Sequence, residues 1–142
     1  MSICIRKATL DDIPLLAEMN KQLIDDEGSP NPMNVEQLEE RMKGWFFADW
    51  NIDLLCFDAE IVGYSLYHFK ESNEVYVRQY FIRREFRKRG FGQEGINQLS
   101  FHRFQHMKTI TIDVLECNPI GMSFWRKVGF LPYCTTMKKS SP

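Results

Sequence analysis

The run Arg87-Lys88-Arg89-Gly90-Phe91-Gly92 sets three cations and two glycines immediately before a stretch of helical spacing. The first turn of a helix carries N–H groups without partners inside the helix, and their dipoles point outward at any nearby anion. Glycine allows positive φ and lets the backbone approach phosphate oxygens closely. Flanking Arg and Lys side chains add charge. Binding of a pyrophosphate is the chemistry that this arrangement suits; a solvated basic turn is the plainer reading of the same residues. From Arg83 to Gly90 the sequence holds five basic residues and one acidic.

Gly90-x-Gly92-x-x-Gly95 is also a literal G-x-G-x-x-G, and Asp113 follows at a spacing suited to a ribose contact. The dinucleotide reading fits poorly. Seven residues separate Ile82, the end of a strand-like run, from Gly90, whereas the fingerprint should follow its strand directly. Three strand-like runs precede it, and the chain left after it is too short for two mononucleotide-binding halves. His102 and His106 stand four apart, on one face of an expected helix. Their stretch H-R-F-Q-H lacks the Glu of H-E-x-x-H, so a solvated face is expected and no metal. Cys4, Cys56, Cys117 and Cys134 form no C-x-x-C. A chain of 142 residues can build a core without disulfides, so reduced thiols are expected.

Composition bounds the remaining classes. Apolar residues make up 44%, aromatics 13% and charged residues 26%, which suits one soluble globular domain spanning residues 1–142 and excludes wholesale disorder. No apolar run approaches the roughly 18 residues that span a bilayer. Residues Met1–Arg6 show no layout of basic start, apolar run and small-residue cleavage site, so a cytoplasmic protein with no membrane partner is expected. Net charge is −1. Its distribution is uneven, because Asp11–Glu40 holds nine acidic residues against Lys21 alone. Helices from that stretch, set beside a cleft, would favour a cationic acceptor.

The elements that must position the glycine loop can be traced along the chain. Ile3 and Ile5 alternate with polar neighbours over Ser2–Lys7, as in a short strand. Thr9 offers an N-cap, with Asp12 three residues on, to a helix carrying Ile13, Leu16, Ala17, Leu23 and Ile24. That helix should stop near Glu27-Gly28, before Ser29-Pro30-Asn31-Pro32. Asn34 and Gln37 open a second helix bearing Leu38, Met42, Trp45 and Phe46. Ile52–Phe57, Ile61–Phe69 and Glu74–Ile82 read as three consecutive strands joined by the turns Asp58-Ala59-Glu60 and Glu71-Ser72-Asn73. Gly92–His106 reads as a helix, and Thr109–Leu115 as a strand. Asn118 and Pro119 then open a helix that Gly129 ends, and Phe130–Lys138 is expected as a last strand. The order β-α-α-β-β-β-α-β-α-β predicts an α/β (α+β) fold with a mixed, mostly antiparallel sheet of about six to seven strands flanked by four helices.

With these residues in order, the sequence resembles the GNAT superfamily of acyl-CoA-dependent N-acyltransferases. The family signature Q/R-x-x-G-x-G/A is met by Arg87-Lys88-Arg89-Gly90-Phe91-Gly92, introduced by Phe81-Ile82-Arg83-Arg84-Glu85-Phe86. A second block matches as Val114-x-x-x-Asn118 followed by Phe124-Trp125-Arg126-Lys127-Val128-Gly129-Phe130, and Gly63 in Ile61-Val62-Gly63-Tyr64 fits as well. The resemblance implies a GNAT-like fold that transfers acetyl from acetyl-CoA to a primary amine, with coenzyme A as co-substrate. It implies that amides of Arg89, Gly90, Phe91 and Gly92, helped by Arg87 and Lys88, bind the pyrophosphate. Backbone groups of Phe81 and Ile82 would pair with pantetheine as another strand would. That requires Glu74–Ile82 to splay from Thr109–Leu115, with Asn118 on the opposite wall.

The same resemblance raises two problems of chemistry. Many family members carry a tyrosine, acting as general acid, where this chain has Trp125, whose indole is too weak an acid. A thiolate with a pKa near about 8.5 leaves tolerably without help; Tyr133 is a candidate substitute, and Trp125 a candidate to pack on pantetheine. The amine is the harder case, because an alkylamine is less than about 0.1% neutral at pH 7 and must lose a proton before attack. Glu74 and Glu116 are the candidate bases, with a water chain as the alternative. Cys117 and Cys134 as acyl carriers are unnecessary if the amine attacks directly in a ternary complex. A coenzyme-A-binding sensor or partner module without chemistry is the alternative function. Nucleic-acid binding rests on one short basic run with no repeated aromatic platform, so no nucleic-acid partner is expected. The acceptor is a small-molecule or peptide amine, and a homodimer is compatible with the sequence without being argued by it.

Overall fold

The computed structural model describes residues 2–142. The elements run β1 (Cys4–Lys7), α1 (Ile13–Asp26), α2 (Val35–Phe47), β2 (Asn51–Phe57), β3 (Glu60–Lys70), β4 (Glu74–Ile82), α3 (Phe91–His102), β5 (Thr109–Ile112) and α4 (Pro119–Lys127). Local chemistry explains most of these boundaries. Asn34 accepts from Gln37 N–H at 2.9 Å while the Gln37 side chain accepts from Asn34 N–H at 2.9 Å, a reciprocal cap that starts α2. Asn118 likewise caps α4 by accepting from Gly121 N–H at 3.0 Å, with Pro119 in the first turn. Gly129, at φ 108°, ends it in the conformation that the sequence anticipates. Both hairpin turns hold two residues at positive φ, Asp58-Ala59 and Ser72-Asn73, which matches the twist of the flanking strands.

The strands form one five-stranded sheet in sequence order, antiparallel throughout except that β5 pairs parallel with β4. One face packs Leu55, Val75, Val77, Phe91, Ile96, Leu99 and Phe104, and so carries α3. The other packs Ile13, Leu16, Met19, Met42, Leu54, Tyr64 and Phe81, and so carries α1 and α2. At Gly63 an added Cβ would lie 2.0 Å from the Phe81 carbonyl oxygen, so β3 and β4 approach there as only glycine permits. Beneath the C-terminal end of α3, the buried Asp53 carboxylate accepts from Tyr67 Oη at 2.5 Å and from Arg103 Nη2 at 3.2 Å.

The mixed sheet and four helices stand as expected, but the sheet has five strands rather than six to seven. The expected last strand, Phe130–Lys138, does not form; Leu131, Tyr133 and Met137 are exposed. A strand needs a ladder partner, and β5 offers a free edge only four residues long. Pro132 also removes one donor from the segment. β5 ends at Ile112 rather than Leu115, and α3 ends at His102 rather than His106.

Candidate active site

The site begins with a flaw in the β3–β4 ladder. Leu66 faces Gln79 and Tyr67 faces Val77, so Arg78 has no partner on β3. Such a bulge bends and twists its strand and shifts the side-chain alternation by one. Val75 and Val77 point to the α3 face. Beyond the bulge it is Tyr80 and Ile82 that pack there, while Phe81 joins the α1–α2 face. Arg78 and Gln79 therefore share the α1–α2 side: Arg78 stacks on Trp45 of α2, and Gln79 accepts from Tyr64 Oη at 2.8 Å.

The bend opens a fork. β5 pairs with β4 only from Glu74–Thr109 to Val77–Ile112, and β4 runs on to Ile82 without it. Arg83 N–H donates to Val62 O at 2.8 Å, which sets the alternation of this stretch. Phe81 spends its backbone groups on β3, and Tyr80 and Ile82 turn theirs toward the fork. Of the pair Phe81 and Ile82 expected along the cofactor arm, Ile82 turns its backbone groups to the open edge of β4 and Phe81 turns its own to β3.

The glycine loop lies at the open end. Gly90 sits at φ 82° and Lys88 at φ 62°, on either side of Arg89. Alternating left- and right-handed residues turn successive N–H groups to one side, which makes an anion-binding concavity. No side chain caps α3, and its first intrahelical bond runs from Glu94 N–H to Gly90 O at 3.1 Å. Gly92 packs against α4: an added Cβ would lie 2.9 Å from the Phe124 ring. Arg87 acts as a strut, with Nε donating to Ile82 O at 2.9 Å and Nη2 reaching Asp26 Oδ2 at 2.5 Å. Arg84 Nη2 meets the other Asp26 oxygen at 2.9 Å, so one carboxylate ties the end of α1 to the loop. Burial alone would raise the Asp26 carboxyl, but Arg87 and then Arg84 outweigh it and hold it below its ordinary value. Arg89 lies over the Phe86 and Phe91 rings at 5.7 and 5.0 Å.

A small cavity of about 30 Å³ marks the root of the fork, lined by Glu27, Val77, Arg78, Gln79, Tyr80, Ile112, Asp113 and Trp125. Glu27, at the C-cap of α1, is the residue that sequence reasoning missed. Burial, and then the neighbouring Asp26, push its carboxyl above the ordinary value. A carboxylate so placed is a better proton acceptor than a free one. Asp113 is engaged elsewhere, accepting from Tyr76 Oη at 2.7 Å. Burial and this bond push the Tyr76 hydroxyl up to about 12. Tyr80 donates to Gly92 O at 2.6 Å, and burial raises its hydroxyl far above the ordinary value.

The expected site residues are partly gathered. Trp125 stands in the fork, edge-on to Tyr80 at 5.4 Å and to Phe130 at 5.1 Å. Asn118 serves as the cap of α4. Glu74 sits at the zipped end, opposite Thr109, where Thr111 Oγ1 donates to its carboxylate. At about 3.3 Å per residue, that is roughly 13 Å of strand before the fork opens. Glu116 is exposed beyond β5, and Tyr133 is 99% exposed. Cys134 is exposed, while the Cys117 thiol donates to Glu27 O at 3.3 Å and so ties the β5–α4 loop to α1. The acidic stretch is largely spent: Asp12 pairs with Arg6 at 2.9 Å, Asp26 with the loop arginines, and Asp11, Glu18, Asp25, Glu36 and Glu40 are exposed. Among the described residues, no group of three His, Cys, Asp or Glu side chains could hold a metal ion, and no helix is long and apolar enough to cross a membrane.

Comparison with known proteins places this geometry. No curated protein matches the sequence. Among solved structures, the fold is similar to that of an acetyltransferase from Thermus thermophilus, with a TM-score of 0.78, 18% identity and coverage of 92% of this chain and 88% of that one. A predicted acetyltransferase from Clostridium acetobutylicum, solved with acetyl-CoA, superposes with a TM-score of 0.73 at 16% identity over 97% of this chain and 96% of that one. An aminoglycoside N-acetyltransferase in complex with CoA gives 0.77 at 15% identity, over 98% and 94%. At such identities the likeness establishes the fold. The model of the acetyltransferase (GNAT) family matches residues 18–130, from within α1 through the loop to Phe130, and the chain belongs to that family.

Proposed function

We propose that the protein moves an acetyl group from acetyl-CoA to a primary amine by direct attack in a ternary complex. The observation that carries this reading is the forked β4–β5 pair with an uncapped, positive-φ helix start at its open end. Amides of Arg89 to Gly92 receive the pyrophosphate, with Lys88 and Arg89 adding charge. Arg87 contributes by bracing the loop against Ile82 and Asp26. Tyr80 and Ile82 offer backbone groups to the pantetheine arm as a neighbouring strand would. Asn118 and Trp125 form the other wall.

Glu27 is the proton acceptor in this reading, in preference to Glu74 and Glu116, because it alone of the three lines the fork. It takes a proton from the ammonium form of the acceptor. The freed nitrogen forms a bond to the thioester carbonyl carbon, the carbon–sulfur bond breaks with its electron pair leaving on sulfur, and the nitrogen's surplus proton passes to that thiolate, directly or through water. No hydroxyl acid need stand at Trp125, since a thiolate is a tolerable leaving group.

Acetyl-CoA should raise the melting temperature, and amines should release free thiol from it. No thermal shift with acetyl-CoA would refute the reading. A second reading, a coenzyme-A-binding module without chemistry, is favoured by Trp125 in the fork and by the exposure of Tyr133. A thermal shift with no thiol release across a broad amine panel would select it.

A further inference from the structure

Beside the fork, on the α1–α2 face, two guanidinium groups share one indole. Arg41 of α2 lies 4.8 Å from the Trp45 ring centroid and Arg78, the bulge residue, 5.1 Å. Among the described residues neither forms a salt bridge, although five other arginines do. Arg41 is half-buried, and its Nη2 donates to Asn20 Oδ1 at 3.1 Å. Its Nε is buried with no partner. Asn20 is 1% exposed, and its Nδ2 is also buried with no partner.

Buried donors without acceptors, next to two like charges, cost stability unless something else answers them. Of the two carboxylates that line the cavity with Arg78, Asp113 is engaged by Tyr76, and neither it nor Glu27 forms a salt bridge with Arg41 or Arg78. A planar fork of N–H donors from arginine, with an amide N–H beside it, matches the two oxygens of a carboxylate. Arg78 belongs to both places, with its guanidinium in the indole stack and the residue in the lining of the cavity, so a group held here lies beside the root of the fork.

We propose that Asn20, Arg41 and Arg78 form an anion subsite, and that the acceptor is an amine that also carries a carboxylate, as an amino acid or short peptide does. This rests on the acetyl-transfer reading for its use but not for its detection. The acceptor is then zwitterionic: the carboxylate docks on the arginines while the ammonium faces Glu27.

The test pairs free amino acids with their own carboxamides, as ligands in thermal melting with coenzyme A present and as acceptors in thiol release. At least one free acid should stabilise the protein, and its carboxamide should be poorer in kcat/KM by about 10- to 100-fold, the worth of a lost charged hydrogen bond. Arg41→Met should abolish that discrimination through KM, with kcat little changed, and Arg41→Lys should restore part of it. Arg41→Met also leaves the buried Asn20 Oδ1 without its donor, and Arg41→Lys, which keeps a donor, separates a folding loss from a lost anion contact. Equal behaviour of acids and carboxamides, or discrimination that survives Arg41→Met, would overturn the subsite. Preference for phosphoethanolamine over every amino acid would overturn the carboxylate. Stabilisation by an acid without any thiol release would instead refute the transfer reading and leave the subsite standing.

Discussion

Gly90→Ala and Lys88→Gly, made as a pair, test whether the loop's conformation is what binds the pyrophosphate. Both positions lie in the left-handed region, at φ 82° and 62°. A side chain there costs about 1–2 kcal/mol, against which Ala recovers about 0.4–1 kcal/mol by narrowing the unfolded chain. Gly90→Ala should therefore destabilise by roughly 1 kcal/mol, about 3 °C for a domain of this size. If the loop instead rotates out of the strained region in the free protein, binding must restore it. The same 1–2 kcal/mol then appears as about 5- to 30-fold weaker affinity. Lys88→Gly relieves strain already present, so it should leave stability near the wild type and cost only what the lysine charge contributes. Titration calorimetry with coenzyme A and with dephosphorylated pantetheine separates the effects. The affinity loss in Gly90→Ala should appear with coenzyme A and vanish with pantetheine. Equal losses for both ligands, or no loss of either affinity or stability, would refute the claim that these amides hold the diphosphate.

Other perturbations reach different parts of the site. Glu27→Gln should lower acetyl transfer by about 100-fold or more, the usual span for a general base. The wild type's rise of rate with pH through the raised Glu27 pKa should disappear with it. For stability the sign is opposite: a carboxyl raised by folding favours the native state while protonated and loses that contribution as pH rises through its folded pKa. At neutral pH Glu27→Gln should therefore melt no lower than the wild type, and a clear drop would show that the carboxylate is structural. Gly63→Ala puts a methyl 2.0 Å from the Phe81 carbonyl oxygen, so β3 and β4 must part. Thermal unfolding should show a loss of about 1–3 kcal/mol. Asp53→Ala leaves the Tyr67 hydroxyl and Arg103 without their buried partner. The loss should be about 3 kcal/mol, the low end for a broken buried pair because Arg103 reaches solvent, with affinity for acetyl-CoA unchanged.

Features written in neighbouring residues were legible in the sequence. Asn34 with Gln37, Asn118 with Pro119, and Gly129 each act within one turn of chain, and each does what its chemistry predicts. The basic glycine loop is equally local. Hidden features depend on distant partners. Phe130–Lys138 has strand-forming residues, but propensity cannot supply a neighbour, and β5 offers too little edge. Glu27 looks like one acid among nine until the length of α1 carries it to β4 and β5. Arg41 draws no reading from the sequence, because nothing nearby announces that Arg78 will meet it across Trp45. Arg87 looks like a phosphate ligand because it stands in the loop; its engagement by Asp26 appears only once α1 is folded back.

The bulge at Arg78 joins these hidden features, and no glycine or proline in Val77-Arg78-Gln79-Tyr80 marks it. One unpaired residue shifts the alternation of β4, so Arg78 and Gln79 fall on the same side and Tyr80 turns to the other. The same bend carries β4 away from β5 and frees the backbone groups of Tyr80 and the N–H of Ile82, whose carbonyl takes Arg87 instead. A regular strand would either place Arg78 beside Trp45 with no fork, or stay paired with β5 and leave no room between them. Cleft and exposed strand edge therefore arise from a single extra residue, which also sets Gln79 beside Arg78 on the α1–α2 side. Deleting Arg78 should restore the ladder, close the fork and remove coenzyme A binding while leaving the protein folded. Retention of coenzyme A affinity in that deletion would mean that the splay is imposed from elsewhere, by the packing of Trp125 and Phe124 on Tyr80.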